Sequence, residues 1–278
     1  MTGGQEARWI DEKMADVIAE QGVKFIDEHR IEPFFLFFAT QDIHVPRVPN
    51  SRFAGKSWHG VRGDAILQLD WTVSQVLDAL KKNGLDRNTL VIFTSDNGPV
   101  LDDGYHDQVN ELLGKHDPNG PYRAGKYSAF EGGTRVPFIV RWPEKIAAEE
   151  RSNALFGQVD LAASLAALAG VEIPTGACQD SLDELDTLLG KDQTGRPYLV
   201  QEGRGPQSLR MAHWKFIAQG SSRDSLNPGQ PVTIDKGGAL YHLQLDGEEQ
   251  ENVVAQYPDR AEAMRKKLRA IATTPDRG

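Results

Sequence analysis

The chain has 278 residues, 39% of them hydrophobic and 26% charged, which suits one large domain or one domain with a small appendage. A formal net charge of −9 excludes nucleic acid as a general partner, because phosphate backbones need a basic surface; it leaves room for an anionic small substrate in a locally cationic cleft. The single cysteine, Cys178, excludes an internal disulfide, no Cys/His cluster suggests structural zinc, and the most apolar run, Phe34 to Ala39, is far too short to span a bilayer.

The N-terminus, Met1 to Glu6, has no apolar signal core. Residues 11–29 read as a helix, with Met14, Val17, Ile18, Phe25 and Ile26 on one face. After Pro33, the continuous apolar run Phe34–Ala39 predicts a strand buried on both faces, as in parallel sheets. It opens into a proline-rich loop, 40–50. Residues 63–83 predict a second helix, with Ile66, Leu69, Val73, Val76, Leu77 and Leu80 at helical spacing and Lys81-Lys82-Asn83-Gly84 as its stop. A second strand, Leu90–Phe93, runs into Thr94-Ser95-Asp96-Asn97-Gly98-Pro99. Residues 100–135 are long, polar and rich in Gly, Asp and His, a length that in compact domains goes with function. Residues 136–142 predict a third strand and 158–170 a third helix ending at Gly170.

Helices alternating with strands imply an α/β fold, a mostly parallel sheet flanked by helices. Ligands in such sheets bind beyond the carboxyl ends of the strands, which is where the loops 40–50 and 94–106 lie. After about residue 175 the runs become short and strand-like, followed by a charged helix near 258–272 with Ala261, Met264, Leu268 and Ile271 as its apolar line. The expected division is 1–175 for the α/β domain and 176–278 for a small subdomain, an antiparallel sheet closed by a C-terminal helix.

Asp, Asn, Gly and Pro after a strand also make ordinary turns. Here their company points to a site. Asp96 and Asn97 are hard oxygen donors, which suit calcium, with magnesium as the alternative, rather than zinc. A calcium site takes about 6–8 oxygens, of which these two supply roughly three at best. His44 follows the first strand, and Lys126 sits between Gly125 and Gly132-Gly133. A histidine, a lysine and a divalent cation near one sheet edge would make a pocket for a tetrahedral oxyanion, with the side-chain tips within about 10 Å of one another.

Four stretches carry a resemblance: "PFFLFFATQDIHVPRVP", "GDAILQLDWTVSQVLDALKKNGLDRNTLVIFTSDNGP", "RAGKYSAFEGGTRVPFIVRWPEKI" and "QVDLAASLAALAG". In order and spacing they resemble the later part of a type I, formylglycine-dependent sulfatase of the alkaline phosphatase superfamily, over most of residues 9–175. The tail "LYHLQLDGEEQENV" resembles the family's C-terminal pattern, departing at His242 and Gly247. The resemblance implies that Asp96 and Asn97 are metal ligands and that His44 and Lys126 contact the sulfate, stabilising or protonating the leaving oxygen. It implies calcium, a sulfate ester of a carbohydrate or aryl alcohol as substrate, and a periplasmic or extracellular location.

The formylglycine precursor, C/S-x-P-x-R, is absent: Cys178 lies in "ACQDSL". So is the family's N-terminal Asp pair. The chain therefore reads as lacking an N-terminal portion and as inactive by itself, with poor expression or self-association expected from an uncovered sheet edge. Arg47, Asp103 and His106 are further candidates for substrate contact, with Asp102 and His116 in the long loop and His59 in "KSWHGVRGD" as weaker ones; Arg123 and Arg135 are read as structural, through carboxylate pairs. The alternatives are a phosphate-ester-processing relative, disfavoured by the lack of a His-rich two-zinc ligand set, and a non-catalytic fragment.

Overall fold

The computed structural model describes residues 8–224, 226 and 231–273. They gather into two compact units. The first comprises Met1–Leu90, Leu101–Asp117 and Trp142–Glu144; the second comprises Val91–Val100, Pro118–Arg141 and Lys145–Gly278. These units cut across the boundary expected at residue 175, because the second strand and the segment after it cluster with the C-terminal sheet. No helix among the described residues is long and apolar enough to cross a membrane.

In the first unit, α1 (Met14–Glu28, entered by a 3₁₀ turn at Asp11–Lys13) packs against α2 (Gly60–Lys82). Helix α1 buries Ala15, Ala19, Gly22 and Ile26, a face of small residues. A Cβ on Gly22 would stand 2.6 Å from the Phe38 ring, so the absent side chain is what lets that ring approach. Val17, expected inside, is exposed. Helix α2 ends as expected, with Asn83 capping and Gly84 at φ +68°. Its buried face was the expected one only near its end, where Leu80 is buried beside Ala79; in its first half Arg62, Asp64, Gln68 and Thr72 are buried, while Ile66, expected inside, is exposed. The cause is what covers it. Residues 42–57 are irregular, and their backbone amides need acceptors. The Asp64 carboxylate accepts the N–H groups of Gly55, Lys56 and Ser57 at 2.8, 3.0 and 2.8 Å. Gln68 accepts from Asn50 N–H and donates to Asp42, both at 2.8 Å. A short helix, α3 (Val109–Leu112), completes the unit's regular elements.

Residues 34–39, expected as a doubly buried strand, form no regular element and pair with no strand among the described residues. Burial alternates: Phe34, Leu36 and Phe38 are half-buried, whereas Phe35 and Phe37 are 72% and 82% exposed. That is the alternation of a strand with one covered face.

In the second unit, β1 (Val91–Thr94) pairs antiparallel with β2 (Phe138–Arg141), Val91 opposite Arg141 and Thr94 opposite Phe138. The pairing of β1 seen here is thus antiparallel, with the short helix α4 (Glu131–Thr134) leading into β2. Helix α5 (Leu161–Ala169) ends at Gly170, φ +66°, as the sequence predicts. Asp160, fully buried before it, is held by Arg196 at 2.8 and 3.0 Å and accepts from Gly157 and Leu182 N–H. After α6 (Leu185–Leu188) comes an antiparallel sheet of β3 (Leu199–Glu202), β4 (Gln207–Met211), β5 (Trp214–Ile217) and β8 (Ala239–His242), in that order. Strands β6 (Gly220–Ser222) and β7 (Val232–Ile234) pair separately. Helix α7 (Pro258–Thr273) closes one face of the four-stranded sheet: Ala261, Met264 and Leu268 pack on Leu209, Phe216 and Leu240. On the other face Ile217, Ala239 and Tyr241 meet Ala124, Ala129 and Phe130.

Candidate active site

Within the second unit the structure brings Asp96, Asn97 and Lys126 into one framework. The loop after β1 is stapled by backbone to the segment 123–133. Gly98 N–H donates to Gly133 O at 3.0 Å, and Lys126 N–H donates to Pro99 O at 2.8 Å. The glycines make this approach feasible. A Cβ on Gly98 would lie 1.7 Å from Gly132 O, and one on Gly125 would lie 2.2 Å from Pro99 O. On Gly132 and Gly133 it would meet the carbonyls of Arg123, Ala124, Gly125 and Ser128 at 2.4–2.5 Å. No side chain fits at distances below about 3 Å from backbone, so these four positions require glycine for space.

The short-range bonds decide which atoms point outward. Asp96 Oδ1 accepts Asn97 N–H at 2.9 Å, and Asn97 Nδ2 donates to Gly98 O at 3.0 Å. Gln158 Nε2 anchors the loop by donating to Thr94 Oγ1 at 2.9 Å and Ser95 O at 2.5 Å. Asp96 Oδ2 and Asn97 Oδ1 remain without hydrogen bonds among the described residues, on an exposed and a half-buried side chain respectively. Two adjacent hard oxygens with uncommitted lone pairs fit a calcium ion. Among the described residues no three His, Cys, Asp or Glu groups gather to hold a metal, so these two would be part of a larger oxygen shell. Lys126 is half-buried, its ammonium 5.2 Å from the Tyr127 ring centre.

The segment bearing Lys126 is anchored from below by charges that the sequence reading missed. Lys215, fully buried on β5, places Nζ 3.0 Å from Glu131 Oε1 and 3.3 Å from Glu249 Oε1. Arg210 and Arg135 reach Glu131 Oε2 at 3.1 and 3.6 Å. Glu249 Oε2 accepts Glu131 N–H at 2.5 Å. Arg123 pairs with Asp224 and donates to Glu249 O at 2.7 Å, so Arg123 and Arg135 are structural, as expected. Burial opposes ionisation of Glu131, but Lys215, then Arg210 and Arg135, outweigh it and hold the carboxyl below its ordinary value. Burial pushes Glu249 up; Lys215 opposes this and the Glu131 charge adds to it. Tyr241, opposite Lys215 in the sheet, is pushed up to about 12, chiefly by burial. The one cue in the sequence was a lysine inside the apolar run Trp214–Ile217, and its partners lie 84 and 34 positions away.

His44, Arg47, Asp103 and His106 belong to the first unit. His44 is exposed, and its Nδ1 donates to Val45 O at 2.8 Å. Arg47 is buried; its guanidinium pairs with Asp107, and its Nε donates to Ile43 O at 3.2 Å. Behind them, burial, and then the neighbouring Arg47 charge, brings Arg62 down to about 10. Asp103 is half-buried and His106 exposed. The rings of His59 and His116 meet at a 43° tilt with centres 5.2 Å apart.

Comparison with known proteins gives three findings. The sulfatase family model matches residues 4–171. An N-acetylgalactosamine-6-O-sulfatase of Bacteroides thetaiotaomicron is 48% identical over 276 residues, covering 98% of this chain and 54% of the relative; the N-acetylgalactosamine-6-sulfatase of Mus musculus is 33% identical over 244 residues, covering 83% and 44%. A solved Bacteroides thetaiotaomicron structure, described under the metabolism of multiple glycosaminoglycans, superposes with a TM-score of 0.91 at 46% identity, over 98% of this chain and 57% of that one. The chain spans about half the length of the relatives it matches.

Proposed function

The chain belongs to the sulfatase family, with that family's α/β fold and C-terminal antiparallel sheet, and from this premise we propose that it carries the metal- and sulfate-binding half of a sulfuric ester hydrolase acting on a sulfated carbohydrate. The 6-sulfate of N-acetylgalactosamine is the group named for two of its relatives and is the proposed target. The observation that supports this reading most is the stapling of the Asp96–Asn97 loop to the Lys126 segment through Gly98 and Pro99.

In the proposed mechanism Asp96 Oδ2 and Asn97 Oδ1 help hold a calcium ion, which when bound supplies positive charge for the sulfate oxygens. Lys126 adds a fixed ammonium to the same anion; being half-buried, it interacts with it more strongly than it would in open water. His44, oriented by its Nδ1–H bond to Val45 O, uses Nε2 to bind the leaving oxygen and hand it a proton. Arg47 acts by positioning: its pair with Asp107 and its bond to Ile43 O hold the His44 loop in place. Asp103 and His106 are proposed to touch the sugar. No residue here has the C/S-x-P-x-R context for conversion to a formylglycine, so the attacking group is not supplied by these 278 residues. Export to the periplasm or medium follows the family pattern.

The test is hydrolysis of 6-sulfated N-acetylgalactosamine by this chain and by a longer protein that adds a C/S-x-P-x-R segment and an Asp pair. The expected result is no turnover from the chain and sulfate release from the longer protein, lowered about 10²- to 10³-fold by Lys126→Ala or His44→Ala. Turnover by the chain alone on the order of 1 per second, or no effect of either substitution, would overturn the assignment.

A further inference from the structure

Tyr127 is ringed by cations. Its ring centre lies 5.2 Å from Lys126 Nζ, 5.0 Å from Arg204 Cζ and 4.5 Å from Arg223 Cζ. Each distance is inside the roughly 6 Å reach of a cation–π contact, and one ring offsets only part of the repulsion between the two guanidinium charges. Among the described residues neither makes an ion pair, and the acid beside them, Asp224, is taken by Arg123. Arg223 Nη1 is shielded from solvent and has no acceptor among the described residues. In a protein of net charge −9 this local excess of positive charge calls for an anion.

The backbone fixes both arginines in place. Arg204 sits between two glycines: a Cβ on Gly203 would meet Ser128 C at 2.6 Å and Ala129 N at 2.7 Å, and Gly205 has φ +126°. Arg204 N–H donates to Tyr127 O at 2.7 Å, and Arg223 O accepts from Ser128 Oγ at 2.9 Å. The Gly-Arg-Gly turn after β3 and the residue after β6 are thus both stitched to Tyr127-Ser128, next to Lys126.

We propose that Arg204 and Arg223 bind a second anionic group of the sugar substrate, a uronic-acid carboxylate or a second sulfate, beside the sulfate ester held by Lys126. The role of Lys126 in this statement rests on the sulfatase reading. A guanidinium fork matches either planar carboxylate or sulfate oxygens in a two-point contact. The preferred substrate is then a fragment of an anionic polysaccharide, with an uncharged aryl sulfate or a lone sulfated sugar binding more weakly.

Calorimetric titration with four sugars tests this: 6-sulfated N-acetylgalactosamine, its disaccharide with a uronic acid, a disaccharide carrying a second sulfate instead, and the unsulfated uronate disaccharide. Wild type should bind at least one sulfated disaccharide ten-fold or more tighter than the monosaccharide at low salt. The gap should narrow as salt rises. Arg204→Gln/Arg223→Gln should erase the gap while leaving monosaccharide affinity and the thermal midpoint unchanged, and the lysine pair should keep part of it. Which disaccharide gains identifies carboxylate or sulfate. Equal binding of mono- and disaccharides, a gap that survives in the glutamine pair, or no binding of any of the four sugars, overturns the proposal. Binding of the unsulfated uronate through the arginines, with no binding of the sulfated monosaccharide, would keep the arginine site and sink the sulfatase reading instead.

Discussion

Replacing Lys215 by Met removes one buried charge and leaves two. Its side chain is fully buried, with Glu131 at 3.0 Å and Glu249 at 3.3 Å. Glu131 keeps Arg210 at 3.1 Å, but among the described residues the Glu249 carboxylate has no second cation. Breaking a buried pair by removing one partner costs about 3–5 kcal/mol, while Met fills nearly the same volume, so packing adds little. The predicted loss is therefore about 3–5 kcal/mol, and Lys215→Met/Glu249→Gln should recover most of it, because a glutamine oxygen can still accept Glu131 N–H. The sign with pH follows from Glu249. Its carboxyl is raised above the ordinary 4.5 in the fold, so its contribution favours folding below that value and is lost as pH rises through the folded value. Without Lys215 it rises further, so the penalty should be larger at pH 8 than at pH 5. Glu131, held low, contributes the opposite way, with stability present above 4.5 and lost on acidification. Urea unfolding at both pH values, at concentrations where the midpoint is constant, measures this. A loss under about 1 kcal/mol, or a penalty that grows as pH falls, would refute the reasoning.

Three further outcomes are expected. Calcium should bind this chain no tighter than about millimolar, the weak end of protein sites, and Asp96→Asn should abolish what binding there is; a micromolar calorimetric constant would contradict the half-shell reading. Gly98→Ala, whose Cβ would stand 1.7 Å from Gly132 O, should displace the loop and cost more than the about 1 kcal/mol typical of a point change, seen as a lowered thermal midpoint. Phe35→Ser/Phe37→Ser should reduce self-association in sedimentation runs, because both rings stand in water on a segment that pairs with no strand among the described residues; an unchanged monomer fraction would clear that segment.

Where a segment's neighbours are close in sequence, the pattern was readable. Helix α7 buries Ala261, Met264 and Leu268, the line that the periodicity marks, and Gly84 and Gly170 stop their helices in the left-handed region. The glycine-rich loops that carry Asp96, Asn97 and Lys126 stood out as well, and the fold staples their backbones together. Three things were not readable. The first half of α2 buries polar side chains because a loop covers it, and amphipathic reading assumes an apolar cover. Residues 34–39 have strand character but no partner here, and pairing is a property of two segments. Lys215, Glu131 and Glu249 find one another only in the fold, and Arg204 and Arg223 carried no sequence signal beyond the glycines around one of them.

The interlocked glycines also bear on how such a protein can change. Gly98, Gly125, Gly132 and Gly133 touch carbonyls and Cα atoms, and backbone cannot repack around a new methyl as side chains do. Drift at those positions is closed, so the spacing between the Asp96–Asn97 loop and Lys126 behaves as a fixed chassis. The side chains hung on its rim, Tyr127, Arg204 and Arg223, are held by their own backbone hydrogen bonds and can be exchanged without moving it. A library that varies only those three positions should therefore alter sugar preference while keeping the fold, and retargeting of this scaffold would begin there.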